Sequence, residues 1–209
     1  MELDKAKKLR LDAVCSTSVQ YNVTKILDGL YVGGRESVDD LAALEMLAVT
    51  HIVNCTEDIP NFFYGEYEPM PCTTSSTNDP GTISYLRVPI SDDPDVAIDS
   101  FFQSVFGFIQ NARDSGKVCL VHCSQGMSRS PTFILAYLVA RENMSVLEAL
   151  RYTRALRPVI SPNVGFMRKL VELEVRTRQK ASLDLVKYRK DRFATIDELV
   201  IEASPSPAD

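Results

Sequence analysis

The sequence contains no tryptophan among its 209 residues and only two histidines. Its five cysteines form no Cys-x-x-Cys pair and no Cys/His ligand set; they are Cys15, Cys55, Cys72, Cys119 and Cys123. The spacing argues against a zinc site, and the odd number argues against a disulfide framework. We therefore expect reduced thiols and a location in the cytoplasm or the nucleus.

Long apolar runs and an excess of basic charge are also missing. No window approaches the ~20 apolar residues of a membrane-spanning helix, and residues 1–12 carry no apolar run followed by a small-residue cleavage site. The net charge of −5 argues against a nucleic-acid partner. Positive charge is concentrated between Arg168 and Arg192, where nine Lys or Arg residues accompany four Asp or Glu residues. These basic residues form solvated helix faces or a surface for an acidic partner.

Hydrophobic patterning predicts three parts of the chain: a helical N-terminal extension (1–20), a folded domain (21–178), and a basic C-terminal extension (179–209) that ends in a disordered tail. Strands are predicted on both sides of the Asp28-Gly29 turn and at 51–55, 84–88 and 118–122. Helices are predicted at 38–48 behind a Ser37 cap, after an Asp99 cap, and at 131–141, 146–156 and 164–175.

Strands alternate with helices in the first part of this pattern and helices follow one another in the second. The stretch 57–82 separates two strands and holds four prolines, which predicts an irregular surface segment. The order of elements favours an α/β fold with a central, mostly parallel, twisted sheet of about five strands flanked by helices.

The segment V-H-C-S-Q-G-M-S-R-S, residues 121–130, joins a predicted buried strand to a predicted helix. A loop in this position points successive backbone N–H groups inward, and the helix dipole adds positive charge at the same place. Such a nest binds a tetrahedral dianion such as phosphate. Gly126 permits a backbone conformation that other residues rarely adopt, and Arg129 can bond two phosphate oxygens at once. The predicted oxyanion-binding residues are Ser124, Gln125, Gly126, Met127, Ser128 and Arg129.

Cys123 lies where these positive influences meet. A free cysteine is mostly protonated at neutral pH, whereas helix N-termini and neighbouring cations stabilise the thiolate. We expect Cys123 to be a thiolate that attacks phosphorus in line and forms a phosphocysteine intermediate. His122 is expected to orient the loop through hydrogen bonds and not to act as a base. Ser130 is expected to donate a hydrogen bond to the sulfur as it leaves.

These residues match the C-x5-R-S signature of the protein tyrosine phosphatase superfamily, here with the preceding histidine and the internal glycine. From about Asn22 to Glu174 the sequence resembles the dual-specificity branch. The resemblance rests on the stretches L-D-G-L-Y-V-G-G, H-I-V-N-C-T, R-S-P-T-F-I-L-A-Y-L and R-P-V-I-S-P-N-V-G-F-M-R-K-L. It implies a cysteine-phosphatase fold, with residues 21–178 as the catalytic domain of a small, atypical, single-domain member.

The resemblance also implies a proton donor on a separate loop, in the segment V-P-I-S-D-D-P-D. The leaving oxygen of a phosphate ester must be protonated, and the donor must reach the pocket from outside the phosphate-binding loop. The family pattern places this acid at Asp92, with Asp93 and Asp95 as alternatives. The same carboxylate would then activate the water that cleaves the phosphocysteine. No metal or other cofactor is expected, because Arg129 and the loop amides supply the transition-state charge.

Three other residues have two interpretations each. Asn163 resembles the family position that braces the phosphate-binding loop, or it is a helix cap. Cys55 and Cys119 lie on strands expected to flank that loop, and either could form a protective disulfide with Cys123 under oxidation, Cys55 being the favoured partner. The alternative is that both are ordinary core cysteines.

The substrate class is predicted from what the pocket rim lacks. Without tryptophan, the sequence has no Trp-Pro-Asp acid loop of the kind found in phosphotyrosine-restricted members, and its neutral loop interior lacks the lysines of the superfamily's lipid phosphatases. We expect hydrolysis of phosphotyrosine and phosphoserine/phosphothreonine on proteins, with protein kinases among the candidate substrates. The alternatives are a non-hydrolysing phosphoprotein-binding module, and a phosphoinositide or RNA 5′-triphosphate phosphatase. Nothing in the sequence indicates an oligomeric state.

Overall fold

The computed structural model describes residues 22–63 and 83–201. The helix predicted at the N-terminus, most of the irregular stretch and the disordered tail predicted at the C-terminus lie outside the described residues. Within them, five strands form one sheet in the order β1-β2-β5-β3-β4. The strands are β1 (Val23–Leu27), β2 (Leu30–Gly33), β3 (Val49–Asn54), β4 (Ser84–Arg87) and β5 (Val118–His122).

The first two strands form a hairpin, and the other neighbours in the sheet run parallel. β1 pairs antiparallel with β2, across a turn in which Gly29 has a φ of +75°. β5 pairs in parallel with β2 on one side and with β3 on the other, and β3 pairs in parallel with β4. β5 therefore lies at the centre of the sheet, as its continuous apolar run predicts. The predicted mostly parallel five-stranded α/β sheet is confirmed.

Helices cover both faces of the sheet. They are α1 (Leu41–Met46), α2 (Phe102–Asp114), α3 (Arg129–Arg141), α4 (Val146–Leu156), α5 (Val164–Arg178) and α6 (Leu185–Lys190). One face packs against α2 to α5 in the larger core cluster, which includes Val121 and Phe133. The other face packs against α1 through Leu44 and Ile52. No helix in the described ranges is both long enough and apolar enough to cross a membrane.

The helix cap predicted at Ser37 is wrong. The helix begins at Leu41, and its N-cap is Asp40, whose Oδ1 accepts a hydrogen bond from the Ala42 N–H at 2.9 Å. Ser37 lies in a preceding 3₁₀ turn, where its hydroxyl donates to the Gly34 carbonyl. Aspartate and serine are both good N-caps, so composition alone did not separate them.

The cap predicted at Asp99 is also wrong. Asp99 lies inside a 3₁₀ turn, Ile98–Phe101, that leads directly into α2 without a side-chain cap. Its carboxylate instead lies 3.5 Å from Lys169 Nζ on α5. The contact joins the segment before α2 to α5.

The segment after α5 is part of the same core. We refer to residues 182–200 as the C-terminal strap. Its Leu183, Tyr188 and Leu199 are buried in the larger core cluster, and its two ends meet where the Asp184 N–H donates to the Leu199 carbonyl at 2.9 Å. The basic residues of this region are therefore carried on a packed element.

Candidate active site

The segment between β5 and α3, residues 123–129, forms the phosphate loop. It begins at the carboxyl end of the central strand, where His122 is in register with Gly33 of β2 and Asn54 of β3. It ends in the first turn of α3. Every residue of this helix from Ser130 to Val139 is buried. In a parallel sheet, ligands bind at the carboxyl ends of the strands. The fold therefore places this loop where an anion site is expected.

The carbonyl oxygens of residues 124–128 all accept hydrogen bonds from neighbouring groups. Their hydrogen-bond donors are the Arg35 N–H for Ser124, Arg157 Nη2 for Gln125, Arg157 Nε for Gly126, the Ser161 N–H for Met127 and the Thr132 N–H for Ser128. Among the described residues nothing accepts from the N–H groups of Ser124, Gln125, Met127 and Ser128. With the carbonyls engaged elsewhere, these N–H groups are available to an anion.

Gly126 is required at its position for two reasons. Its φ of +66° lies in the left-handed region, and a Cβ added there would lie 2.7 Å from the carbonyl carbon and oxygen of Gly33. A side chain would thus be strained and would also collide with β2. The close contact keeps the phosphate loop against the end of the sheet.

The sulfur of Cys123 accepts two hydrogen bonds from the predicted loop. The Gly126 N–H donates to Sγ at 3.2 Å, and the Ser130 hydroxyl donates at 3.2 Å. Cys123 is 3% exposed, so little of it is open to solvent. Two donors and the N-terminus of α3 thus point at this atom.

Arg129 connects the phosphate loop to the loop that follows β4. We refer to residues 88–97 as the acid loop. Arg129 Nη1 donates to the Ile90 carbonyl at 3.1 Å, and Nη2 donates to the Ser124 hydroxyl at 2.8 Å. Its Nε is buried and has no hydrogen-bond partner among the described residues. The guanidinium is therefore fixed at two points and retains a free donor for a ligand.

Asp92 lies against the phosphate loop. Its Oδ1 accepts a hydrogen bond from the Ser128 hydroxyl at 2.7 Å and from Asn163 Nδ2 at 2.8 Å. Asp93, in contrast, accepts from the Asp95 N–H at 2.8 Å and so stabilises a turn of the acid loop. Of the three candidate acids, Asp92 is the one that the described residues bond to the phosphate loop.

Asn163 combines the two interpretations that the sequence left open. Its Oδ1 caps α5 by accepting from the Phe166 N–H at 2.9 Å, and its own N–H donates to the Ser128 hydroxyl at 3.0 Å. Its side-chain nitrogen, Nδ2, donates to Asp92 Oδ1 at 2.8 Å. Asn163 is thus both a helix cap and a link between the acid loop and the phosphate loop.

Arg157 is a site residue that the sequence reasoning missed. It is 7% exposed and supplies both guanidinium bonds to the loop carbonyls, at 2.9 Å and 3.0 Å. Nη2 also donates to Asn22 Oδ1 at 2.6 Å. Burial lowers the pKa of Arg157, but an arginine remains charged at any physiological pH. The signals in the sequence were an arginine directly before a proline at the end of α4 and its place at the start of the stretch R-P-V-I-S-P-N, which carries part of the family resemblance.

His122 and Cys55 are buried beside the loop, and Cys119 is buried near the start of β5. Burial lowers the pKa of His122 to about 4, so its ring is neutral. Its Nδ1 has no hydrogen-bond partner among the described residues, whereas its carbonyl accepts from the Cys55 N–H at 2.9 Å. The bond to Cys55 is made by the backbone of His122, and the ring is hydrogen-bonded to the backbone of Cys123. Burial raises the pKa of both Cys55 and Cys119.

A buried thiolate-stabilising loop, an arginine fixed above it and an acid on a separate loop define a cysteine-dependent phosphatase site. Among the described residues no group of three His, Cys, Asp or Glu side chains could hold a metal ion. The family model described as "Dual specificity phosphatase, catalytic domain" matches residues 30–176. The C-terminal strap lies beyond this match.

Known proteins of the same family are similar over most of the chain. Dual specificity protein phosphatase 14 of Homo sapiens is 33% identical over 164 residues, covering 78% of this chain and 75% of that protein. The crystal structure of DUSP15 gives a TM-score of 0.63 at 32% identity and covers 83% of this chain and 98% of that one. A mouse dual specificity phosphatase complexed with zinc tungstate gives a TM-score of 0.64 at 25% identity, covering 76% of this chain and 90% of that one. The chain belongs to the dual specificity phosphatase family and dephosphorylates phosphoproteins.

Proposed function

We propose that this enzyme hydrolyses phosphotyrosine and phosphoserine/phosphothreonine on proteins through a phosphocysteine intermediate on Cys123. The observation that carries the proposal is the pair of hydrogen bonds to Cys123 Sγ from the Gly126 N–H and the Ser130 hydroxyl. Both donors favour a thiolate over a thiol, and a thiolate is the nucleophilic form of cysteine. The sulfur lies inside a ring of N–H groups suited to the equatorial oxygens of a phosphoryl group.

In the first step the thiolate attacks phosphorus and a sulfur–phosphorus bond forms as the ester oxygen–phosphorus bond breaks. Asp92 gives its proton to the departing oxygen. In the second step the Asp92 carboxylate takes a proton from a water molecule that attacks the phosphocysteine. The sulfur–phosphorus bond breaks, inorganic phosphate leaves, and the Ser130 hydroxyl stabilises the charge that returns to sulfur.

The breadth of the substrate class is supported by the chemistry of the loop. The side chains of residues 124–128 are neutral, so recognition of the phosphoryl group rests on backbone N–H groups and Arg129, which any phosphorylated residue engages equally. Tungstate, a tetrahedral dianion like phosphate, is present with the mouse relative. The same groups are proposed to bind such oxyanions here.

Trapping the intermediate tests the proposal directly. Enzyme mixed with an excess of an aryl phosphate is quenched with acid and digested, and mass spectrometry locates the added phosphoryl group. We expect it on the peptide that contains Cys123. A phosphorylated peptide that lacks Cys123, or turnover with no covalent species under conditions that trap a reference cysteine phosphatase, would contradict the mechanism.

Asp92→Asn is expected to lower kcat for a phosphotyrosine peptide by about 10²-fold, because general acid catalysis contributes at least that much. Asparagine keeps the shape and the acceptor oxygen for Ser128 and Asn163 but has no proton to give. The loss should be smaller for an activated aryl phosphate, whose leaving group needs little protonation. Steady-state kinetics with both substrates measure the difference. Asp93→Asn is the matched control, and a larger loss in the control would move the acid to Asp93.

We also propose that Cys55 protects Cys123 from irreversible oxidation. The Cys55 N–H bonds to the carbonyl next to Cys123, and burial together with the charge of Cys123 raises the Cys55 pKa. Cys55 therefore stays a thiol while Cys123 reacts first with a peroxide, giving a sulfenic acid. A sulfenic acid no longer carries the Cys123 charge that helps to raise the Cys55 pKa. Cys55 then gives up its proton, its thiolate attacks the sulfenic sulfur to form the sulfur–sulfur bond, and the displaced hydroxide takes that proton and leaves as water.

Peroxide treatment followed by a thiol reductant tests this protection. Wild-type enzyme and Cys119→Ala are expected to recover most of their activity, whereas Cys55→Ala is expected to stay inactive as its sulfinic acid accumulates. Non-reducing peptide mapping should show the Cys55–Cys123 link. Full recovery of Cys55→Ala would exclude the protective role.

Because catalysis needs a reduced thiol, we propose the cytoplasm or the nucleus as the working location, which fractionation of cells can test.

A further inference from the structure

A groove of about 410 Å³ lies beside the active site, between the acid loop, the start of α5 and the C-terminal strap. We refer to it as the strap groove. Its lining includes Pro94, Val164, Leu185, Val186, Arg168 and Arg189. The strap supplies one wall, and this wall lies outside residues 30–176 that match the family. One wall of the groove therefore lies beyond the region that defines the family's catalytic domain.

The strap is fixed to the segment that supports the phosphate loop. The Tyr188 hydroxyl donates to the Pro162 carbonyl at 2.7 Å. Arg154 joins the two parts, since its Nε donates to the Ile160 carbonyl at 3.0 Å and its Nη1 to the Ala194 carbonyl at 2.9 Å. These bonds end within a few residues of Asn163, which holds both functional loops. The groove wall thus has a fixed position relative to the catalytic groups.

The groove also adjoins the proton donor. Pro94 is two residues beyond Asp92, and a Cβ on Gly165 would lie only 1.8 Å from the Pro94 carbonyl oxygen. The acid loop therefore rests directly on the first turn of α5. An extended peptide advances about 3.3–3.6 Å per residue, so a substrate held at the phosphate loop and running past the acid loop would bring its neighbouring residues to this groove.

The chemistry of the groove combines an apolar floor with two arginines. Val186 is 67% exposed, which is unusual for a large apolar side chain on a packed element. The side chain of Arg189 is exposed, and its guanidinium makes no hydrogen bond or ion pair with any described residue. Arg168 has only a loose contact with Glu172, at 3.9 Å. The lining holds one carboxylate, that of Asp95, and two guanidinium groups, so the groove carries net positive charge.

We propose that the strap groove binds the segment of the phosphoprotein substrate that flanks the phosphorylated residue. An apolar side chain of the substrate packs on the floor, and an adjacent aspartate or glutamate binds Arg189 and Arg168. A guanidinium suits a carboxylate because it forms two parallel hydrogen bonds. The proposal rests on the proposed function and adds a substrate class to it: phosphorylated sites with a nearby apolar-acidic pair.

A panel of phosphopeptides tests the groove. Each peptide carries the apolar residue followed by glutamate, alanine or lysine, and the pair is scanned through the positions on both sides of the phosphorylated residue. At one position we expect kcat/KM for wild-type enzyme to be about 10-fold higher with glutamate than with lysine, the scale of one charge-assisted hydrogen bond. Arg189→Glu is expected to reverse this preference. Arg168→Gln is expected to weaken it.

The matched control is Lys190→Glu, which makes the same change of charge at the neighbouring exposed position without lining the groove. It should keep the wild-type preference. A small aryl phosphate, which cannot reach the groove, should be turned over equally by all four proteins. This measurement also shows that the variants are folded.

The peptide preferences decide the outcome. Equal kcat/KM for glutamate and lysine at every position, or the same effect from Lys190→Glu as from Arg189→Glu, would overturn the proposal. A preference for lysine would also overturn it, because it would indicate that Asp95 determines which charge the groove binds. In each case continued turnover of the aryl phosphate would leave the proposed phosphatase mechanism intact, whereas failure of that mechanism would abolish turnover of every substrate.

Discussion

Cys123→Ser is expected to lower kcat for an aryl phosphate by about 10⁴- to 10⁶-fold, the scale on which enzymes respond to loss of their nucleophile. Serine has nearly the same shape and can accept the bonds from the Gly126 N–H and the Ser130 hydroxyl. Its hydroxyl nevertheless remains protonated, because no described residue is placed to act as its general base. The buried ring of His122 is neutral, and its Nδ1 makes no hydrogen bond with any described residue. The loop stabilises an anion that serine does not supply.

Binding and turnover should separate in this variant. Calorimetric titration with a phosphotyrosine peptide is expected to give an affinity close to that of the wild-type enzyme, since the loop N–H groups and Arg129 remain. Cys119→Ala, which removes a buried thiol elsewhere on β5, should retain turnover within a few-fold and serves as the control. Substantial turnover by Cys123→Ser would require another nucleophile. Absence of turnover in the wild-type protein as well would leave only phosphoprotein binding.

The sequence predicted the local part of the site because that part is encoded locally. A buried strand, a loop with glycine at one position and the start of a helix follow one another within residues 118–141. The geometry of such a unit depends on neighbouring residues. The N–H groups, the sulfur and the Ser130 hydroxyl therefore lie where the pattern places them.

The support of the loop was not predictable in the same way, because it depends on residues far along the chain. Arg157 and Ser161 hold carbonyls of the phosphate loop from a segment beyond two further helices. An arginine before a proline is compatible with many surface positions, and only the packed fold buries it. The same holds for Asn163, whose second bond to Asp92 depends on how the acid loop and α5 meet.

The C-terminal strap shows a second limit of sequence patterns. Its basic composition predicted solvated helix faces or a docking surface, and charge alone did not decide between them. α6 has only six residues, too few for a helical period to reveal a buried side. The burial of Leu183, Tyr188 and Leu199 comes from contacts with the rest of the core.

Arg129→Lys is expected to lower kcat by about 10²- to 10³-fold and Arg129→Ala by about 10³- to 10⁵-fold, the range reported for arginines that stabilise phosphoryl transfer. Each of the three nitrogens of the planar guanidinium has its own role. One nitrogen holds the Ile90 carbonyl of the acid loop, a second holds the Ser124 hydroxyl, and the unpaired Nε is left for the phosphoryl oxygens. A lysine keeps the charge, but a single ammonium group cannot reach all three positions.

Kinetics and oxyanion binding together test this assignment. We expect both Arg129 variants to bind vanadate more weakly than the wild-type enzyme, in the same order as their losses in kcat. Arg87→Lys is the matched control, since Arg87 also donates to two backbone carbonyls, of Ile59 and Glu57, but does not lie in the phosphate loop. Its kcat should stay within a few-fold of the wild-type value. If Arg129→Lys kept wild-type kcat and vanadate affinity, charge alone would suffice, and the fixed guanidinium would have no catalytic role.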